Sequence, residues 1–102
     1  MGALYYGAAR RTLIIDDRAL SHLKIVTTSK LRRGEGFLLS WTEGPETGSG
    51  RGSVWIHSHT DLWYEFDGNR APSLDRDLLD QMGRATGAGT GLHIDAIAAR
   101  SA

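Results

Sequence analysis

The chain of 102 residues has no cysteine, only two prolines and no excess charge of either sign. Without cysteine, disulfides, thiolate metal sites and thiol catalysis are excluded. Twelve basic and twelve acidic residues cancel, so any attraction for nucleic acid must come from a local patch. No apolar run approaches the roughly 20 residues that span a bilayer, and the first residues lack the pattern of a signal peptide. We therefore expect a cytoplasmic protein with no membrane partner.

The composition that remains is typical of a folded globular domain. Hydrophobic residues make up 40% of the chain and charged residues 24%. A chain of this length can bury one core without covalent cross-links. Because no repeat or linker divides the sequence, we predict a single domain over residues 1–97, followed by a frayed tail at 98–102.

Hydrophobic periodicity predicts two helices and six strands in the order ββαβββαβ. The strands are expected near residues 4–6, 12–15, 37–41, 53–57, 62–67 and 92–97. The helices are expected over 18–33, capped by Asp16 or Asp17, and from a cap at Asp75 to about residue 86. The first two strands are spaced for a hairpin, and 53–57 and 62–67 are predicted to form another across 58–61. The sequence therefore predicts an α+β fold with two helices on one face of a mainly antiparallel sheet.

Two tryptophans are expected on the face of the sheet that the helices leave open. Strand alternation turns Phe37, Leu39 and Trp41 toward the core and places Trp55, His57, Trp63 and Glu65 on the open face. Exposed aromatic surface of this kind often marks an interaction site, and tryptophan is a preferred anchor there. We predict a homodimer through this interface. The alternatives are a peptide, nucleic acid or small ligand on the same face, or a terminal segment that covers it.

Basic side chains suggest a second type of partner. The outer face of the first helix is predicted to carry Arg18, His22, Ser29, Arg32 and Arg33, with Ile25 among them. The glycine-rich segment 48–52 would expose N–H groups beside Arg51, which suits a phosphate, although it is not a Walker loop. A solvated helix face and a flexible loop explain the same residues. The candidate contacts to phosphate or nucleic acid are Lys30, Arg32, Arg33, Arg51 and Arg70.

The histidines do not define a metal site. His57 and His59 alternate at a strand end, but nothing in the spacing fixes a third ligand. We predict no metal and no cofactor.

Residues 65–70 read Glu-Phe-Asp-Gly-Asn-Arg. They match the Lys-x-Asp-Gly-x-Arg signature of nucleotide-transferring ligases at every fixed position except the first. The attacking lysine is replaced by Glu65, whose carboxylate cannot form the phosphoramide intermediate, and the chain is shorter than a ligase core. A strand end followed by an Asp-Gly turn explains the segment. We therefore expect no ligase activity.

Longer segments carry a resemblance that covers nearly the whole chain. They are residues 4–7, 17–20 with 22–23, 30–33, 37–41, 50–51 with 55–56, and 66–74. In these the chain resembles a family of short actinobacterial proteins of unknown function, whose members often carry the name ATP-dependent DNA ligase. The resemblance supplies no catalytic residue. We predict a small non-catalytic interaction domain that self-associates. The alternative is a nucleic-acid-binding module associated with DNA repair, as the ligase name implies.

Overall fold

The computed structural model describes residues 1–44 and 50–100. These residues form two helices, α1 (Asp17–Arg32) and α2 (Arg76–Ala85). The strands are β1 (Gly2–Tyr6), β2 (Arg11–Ile15), β3 (Phe37–Glu43), β4 (Arg51–Ile56), β5 (Leu62–Glu65), β6 (Leu92–Ala96) and β7 (Ala98–Arg100). The predicted α+β class is confirmed, and both helices begin at carboxylate caps. Asp16 accepts the N–H of Ala19, and Asp75 accepts those of Asp77 and Leu78.

The strands form two sheets. The four-stranded sheet has the order β5-β1-β2-β7 and is antiparallel throughout. The three-stranded sheet has the order β4-β3-β6, with β3 antiparallel to β4 and parallel to β6. A single residue, Ile97, separates β6 from β7, and its N–H donates to the carbonyl of Ile14 at 2.7 Å. The chain therefore passes from one sheet to the other at this residue.

The predicted hairpin between residues 53–57 and 62–67 is wrong. β4 pairs with β3, from Phe37 opposite Ile56 to Thr42 opposite Arg51. β5 pairs instead with β1 in the other sheet. The connection 57–61 crosses between the sheets, and the carbonyl of Asp61 accepts the N–H of Gly7 at 3.0 Å. Alternation reports which face of a strand is buried, but it does not report which strand lies beside it.

One core lies between the sheets and the helices. Alternate residues of β3 are buried, which confirms the predicted inward set of Phe37, Leu39 and Trp41. The ring of Trp41 lies 6.1 Å from that of Tyr6, within the range of a favourable aromatic pair. Other buried core residues are Leu4, Leu13, Ile15, Leu20, Leu23, Val26, Ile56, Met82, Leu92 and Ile94. Each large side chain of this kind stabilises the fold by roughly 1.5–3 kcal/mol relative to exposure.

The end of the chain differs from the frayed tail that the sequence predicts. Ala98–Arg100 form β7, which extends the four-stranded sheet by pairing with β2. Residues 101–102 lie outside the described part of the chain. Among the described residues, neither helix has the length and apolar character needed to cross a membrane.

Candidate interaction surfaces

The outer side of the four-stranded sheet, away from the core, presents an aromatic and apolar surface. One cross-strand row contains Trp63, Tyr5, Thr12 and Arg100, and the next contains Glu65, Ala3, Ile14 and Ala98. We call these eight residues the Trp63 face; within it, Ala98 is buried. The side chain of Trp63 is 60% exposed, and Tyr5 and Ile14 are half-buried. The guanidinium carbon of Arg10 lies 5.6 Å from the centre of the Tyr5 ring at the margin of this face.

The second tryptophan belongs to the other sheet. Trp55 lies on the outer side of β4, beside Leu38, and is 58% exposed. Its indole lies against Gly36, where an added Cβ would come within 3.0 Å of the ring. His57 is exposed just beyond the end of β4. The structure therefore places Trp55 on the three-stranded sheet, His57 just beyond its end, and Trp63 and Glu65 on the four-stranded sheet. The four residues do not form one continuous row.

The predicted phosphate contacts are distributed over separate parts of the surface. At the end of α1, Glu35 pairs with Lys30 at 2.8 Å and with Arg33 at 3.6 Å. These cations, with the Lys30 hydrogen bond as the largest cause, lower the pKa of Glu35. Arg51 lies in a depression on the outer side of the three-stranded sheet, and Arg70 lies beside α1. Residues 48–49 of the predicted glycine-rich phosphate segment lie outside the described residues.

His22 is not part of a basic outer face, so that prediction is wrong. Its side chain is fully buried. Nδ1 lies 2.7 Å from the carbonyl oxygen of Arg18, and Nε2 accepts the N–H of Asp75 at 2.9 Å. Because Nε2 is an acceptor, the ring proton of this neutral imidazole is on Nδ1, which donates to the Arg18 carbonyl. The His22 side chain therefore links α1 to the cap residue of α2 by its hydrogen bonds to backbone groups.

The segment 67–75 is attached to α1 at both of its ends. At the first end, the Asp17 carboxylate accepts the N–H groups of Asp67 and Gly68 at 3.2 and 3.1 Å. At the other end, His22 accepts the N–H of Asp75. Between the two attachments, a cleft of about 350 Å³ lies between the segment and α1. We call this depression the α1 cleft.

The α1 cleft combines apolar walls with two cations. Its apolar side chains come from both α1 and the segment 66–74; they are Ile25, Phe66, Ala71, Pro72 and Leu74. Ile25 is 39% exposed and Leu74 is 55% exposed. Lys24 and Arg70 also line the cleft, and Nζ of Lys24 lies 5.7 Å from the centre of the Phe66 ring. Sequence reasoning missed this site because its two walls are about fifty residues apart in the chain.

The described residues contain no group of three or more histidine and carboxylate side chains that could hold a metal ion. The rings of His57 and His59 lie 6.0 Å apart, and Nδ1 of His57 accepts the backbone N–H of His59. This local hydrogen bond accounts for the proximity of the two side chains.

Residues 1–97 match the family model DUF7882, which is described as a domain of unknown function. The chain belongs to the DUF7882 family. No curated protein and no solved structure matches it. Membership in DUF7882 names no ligand and no reaction.

In this DUF7882 domain, the attachment through Asp17 predicts a dependence of stability on pH. The hydrogen bond from Gly68 is the main cause that lowers the Asp17 pKa, and the Asp67 N–H and the terminal ammonium group act in the same direction. A lowered pKa in the folded state means that the unfolded chain binds the proton more tightly. The contribution of Asp17 to stability is therefore complete above its unfolded pKa of about 4 and is lost as pH falls through the folded pKa.

We expect Asp17→Asn to lower the melting temperature at neutral pH. The difference from the wild type should shrink as pH falls below about 4, because the wild-type carboxylate then also loses its charge. Thermal unfolding, followed by circular dichroism between neutral and strongly acidic pH, measures the melting temperatures of the variant and the wild type. Asp80→Asn removes an exposed carboxylate of α2 and should follow the wild-type profile. A difference between Asp17→Asn and wild type that is independent of pH would contradict the assignment.

Proposed function

We propose that the chain is a non-catalytic interaction domain that forms a homodimer through the Trp63 face. The observation that carries the proposal is the exposed Trp63, placed beside Tyr5 on a sheet surface that also includes Ala3 and Ile14. An aromatic residue of this exposure, next to other apolar side chains, is typical of an interface anchor.

Charge at the two margins of the face favours a second copy of the chain as the partner. Glu65 lies on β5 and Arg100 on β7, which are the opposite edges of the four-stranded sheet. A twofold axis parallel to the strands would lay β5 of one copy over β7 of the other. Glu65 of each copy would then lie near Arg100 of the other, offset by one row, or about 7 Å along the strand. Long side chains span that offset, so the face is complementary to itself in charge.

The same geometry supports a role without catalysis. Glu65 is exposed on the outer side of β5, whereas Arg70 lines the α1 cleft on another part of the surface. The first and last positions of the ligase-like hexapeptide therefore do not face a common site. Together with the absence of the attacking lysine, this is the basis for proposing an interaction domain and no ligase.

Nucleic-acid binding is the alternative, and the observation in its favour is the exposure of Arg32, Arg51 and Arg70. Against it, Lys30 and Arg33 pair with Glu35, and Arg51 lies on a different sheet face from the cleft that Arg70 lines. Several phosphate contacts would make the affinity for a DNA duplex fall steeply between about 50 and 200 mM salt. We expect no such binding.

The matched substitutions Trp63→Ser and Trp55→Ser test the proposed dimer. The two tryptophans have nearly equal exposure, 60% and 58%, but lie on different sheets. We expect Trp63→Ser to raise the dimer dissociation constant by about 30-fold or more, the effect of losing an anchor residue, whereas Trp55→Ser should dimerise like the wild type. Light scattering over a concentration series gives the solution mass of each variant.

Charge reversal provides an independent test of the packing arrangement. Glu65→Arg and Arg100→Glu should each weaken the dimer, and the double variant should recover most of the loss. A wild-type protein that stays monomeric at high concentration would refute the proposal. Equal effects of Trp55→Ser and Trp63→Ser would refute the choice of face.

A further inference from the structure

We propose that the α1 cleft binds a small organic anion with an apolar body, such as a short aliphatic or single-ring aromatic carboxylate. This site is separate from the Trp63 face and does not depend on dimerisation.

The frame of the cleft is held by side chains whose hydrogen bonds are already made. Asp17 holds the start of the segment 67–75 through two backbone N–H groups, and His22 holds its end through the N–H of Asp75. The ring of His22 is itself fixed by the carbonyl of Arg18. A wall attached at both ends needs little further ordering when a ligand enters, which favours binding.

The lining is suited to a ligand with one apolar part and one charged part. Phe66, Pro72 and Leu74 supply apolar surface on the wall, and Ile25 supplies it on the helix. An apolar ligand that covers these side chains removes their surface from water, and this favours binding. The volume of about 350 Å³ lies at the lower end of the range for small-molecule sites. That size favours a small ligand over a folded partner.

The charges that line the cleft favour an anion as its ligand. Lys24 and Arg70 line the cleft, and neither forms an ion pair within residues 1–44 and 50–100. The nearby carboxylates are already compensated. Asp17 accepts two backbone N–H groups and lies 3.9 Å from the terminal ammonium, which also lies 3.5 Å from Asp67. Lys24 and Arg70 are therefore available to bind the carboxylate of a ligand. The nearby carboxylates of the protein do not compete for these two cations.

The same observations argue against a nucleic acid as the ligand of this site. A phosphate backbone is bound by a series of cations along its length. The cleft offers two cations and a mainly aliphatic wall, and Lys24 lies close to its one aromatic ring. An organic carboxylate uses both the cations and the apolar surface, whereas a phosphate backbone would leave the apolar surface exposed.

Octanoate and 1-octanol form a matched pair of probes, because they share an aliphatic body and differ in charge. We expect octanoate, below its micellar concentration, to give saturable shifts in amide NMR spectra at residues 21–25 and 66–74. Octanol should bind about tenfold or more weakly, since it lacks the charge-assisted hydrogen bond to Arg70. Arg70→Gln should weaken octanoate binding by a similar factor and leave octanol binding unchanged.

Arg51→Gln is the control variant, because it removes an exposed arginine from the three-stranded sheet, away from the α1 cleft. It should bind octanoate with wild-type affinity. Equal affinities for octanoate and octanol, wild-type binding by Arg70→Gln, or shifts that never saturate and spread over the whole surface would each overturn the proposal. Shifts at these residues with a DNA duplex in place of octanoate would assign the site to nucleic acid instead. Repeating the titration with Trp63→Ser separates this result from the oligomeric state.

Discussion

Gly91→Ala is expected to destabilise the protein by about 4 kcal/mol, as the sum of left-handed backbone strain and a steric clash that nothing nearby can relieve. Gly91 precedes β6 and has a φ of 75°, a conformation that alanine adopts only at a cost. A Cβ at this position would collide with the carbonyl oxygen of Leu38 and lie 2.8 Å from its Cβ. Leu38 belongs to β3, the central strand of its sheet, so it cannot move without disturbing the pairing with both β4 and β6.

Gly83→Ala is the matched control for this prediction. Gly83 lies within α2, is exposed, and has no atom within 4 Å of an added Cβ. Because alanine is a better helix former than glycine, this substitution should stabilise the fold by about 0.5–1 kcal/mol. Urea denaturation of both variants measures the two changes in the free energy of unfolding, which should have opposite signs. Wild-type stability in Gly91→Ala would mean that the approach of residue 91 to β3 is not as described.

The sequence was sufficient to locate the elements whose signals are local. Alternation along 37–41 predicted a strand with Phe37, Leu39 and Trp41 inward, and β3 buries those three residues. The helix predicted over 18–33, with a cap at Asp16 or Asp17, is α1 with its cap at Asp16. In both cases the period of the apolar residues contains the information, and for α1 a capping side chain adds to it.

Features that depend on contacts between distant segments were not predictable in this way. A five-residue connection after β4 suits a hairpin, but β5 lies beside β1, which pairs with it from Ala3 to Tyr6. The division into two sheets follows from this choice of partner and from the change of sheet at Ile97. The α1 cleft exists because Asp17 and His22 accept N–H groups about fifty residues later in the chain. No periodicity in the sequence encodes such a pairing.

His22 is the clearest example of this limit, and its replacement should have the second largest effect. Periodicity placed it on an exposed basic face, whereas it is fully buried with both ring nitrogens hydrogen-bonded. His22→Ala would leave a cavity in place of the ring and remove the acceptor of the Asp75 N–H. We expect a loss of about 3 kcal/mol in the free energy of unfolding. Urea denaturation measures it, with His93→Ala as the control.

The control separates burial from residue type, because His93 is exposed and its Nε2 lies 3.1 Å from the hydroxyl oxygen of Thr42. His93→Ala should change the unfolding free energy by no more than about 0.5 kcal/mol. A second measurement tests the link itself: hydrogen exchange of the Asp75 amide should accelerate in His22→Ala and remain slow in His93→Ala. Since the same hydrogen bond holds one end of the α1 cleft, His22→Ala should also bind octanoate more weakly. Unchanged amide exchange and unchanged stability in His22→Ala would together show that the segment 67–75 is held to α1 by other contacts.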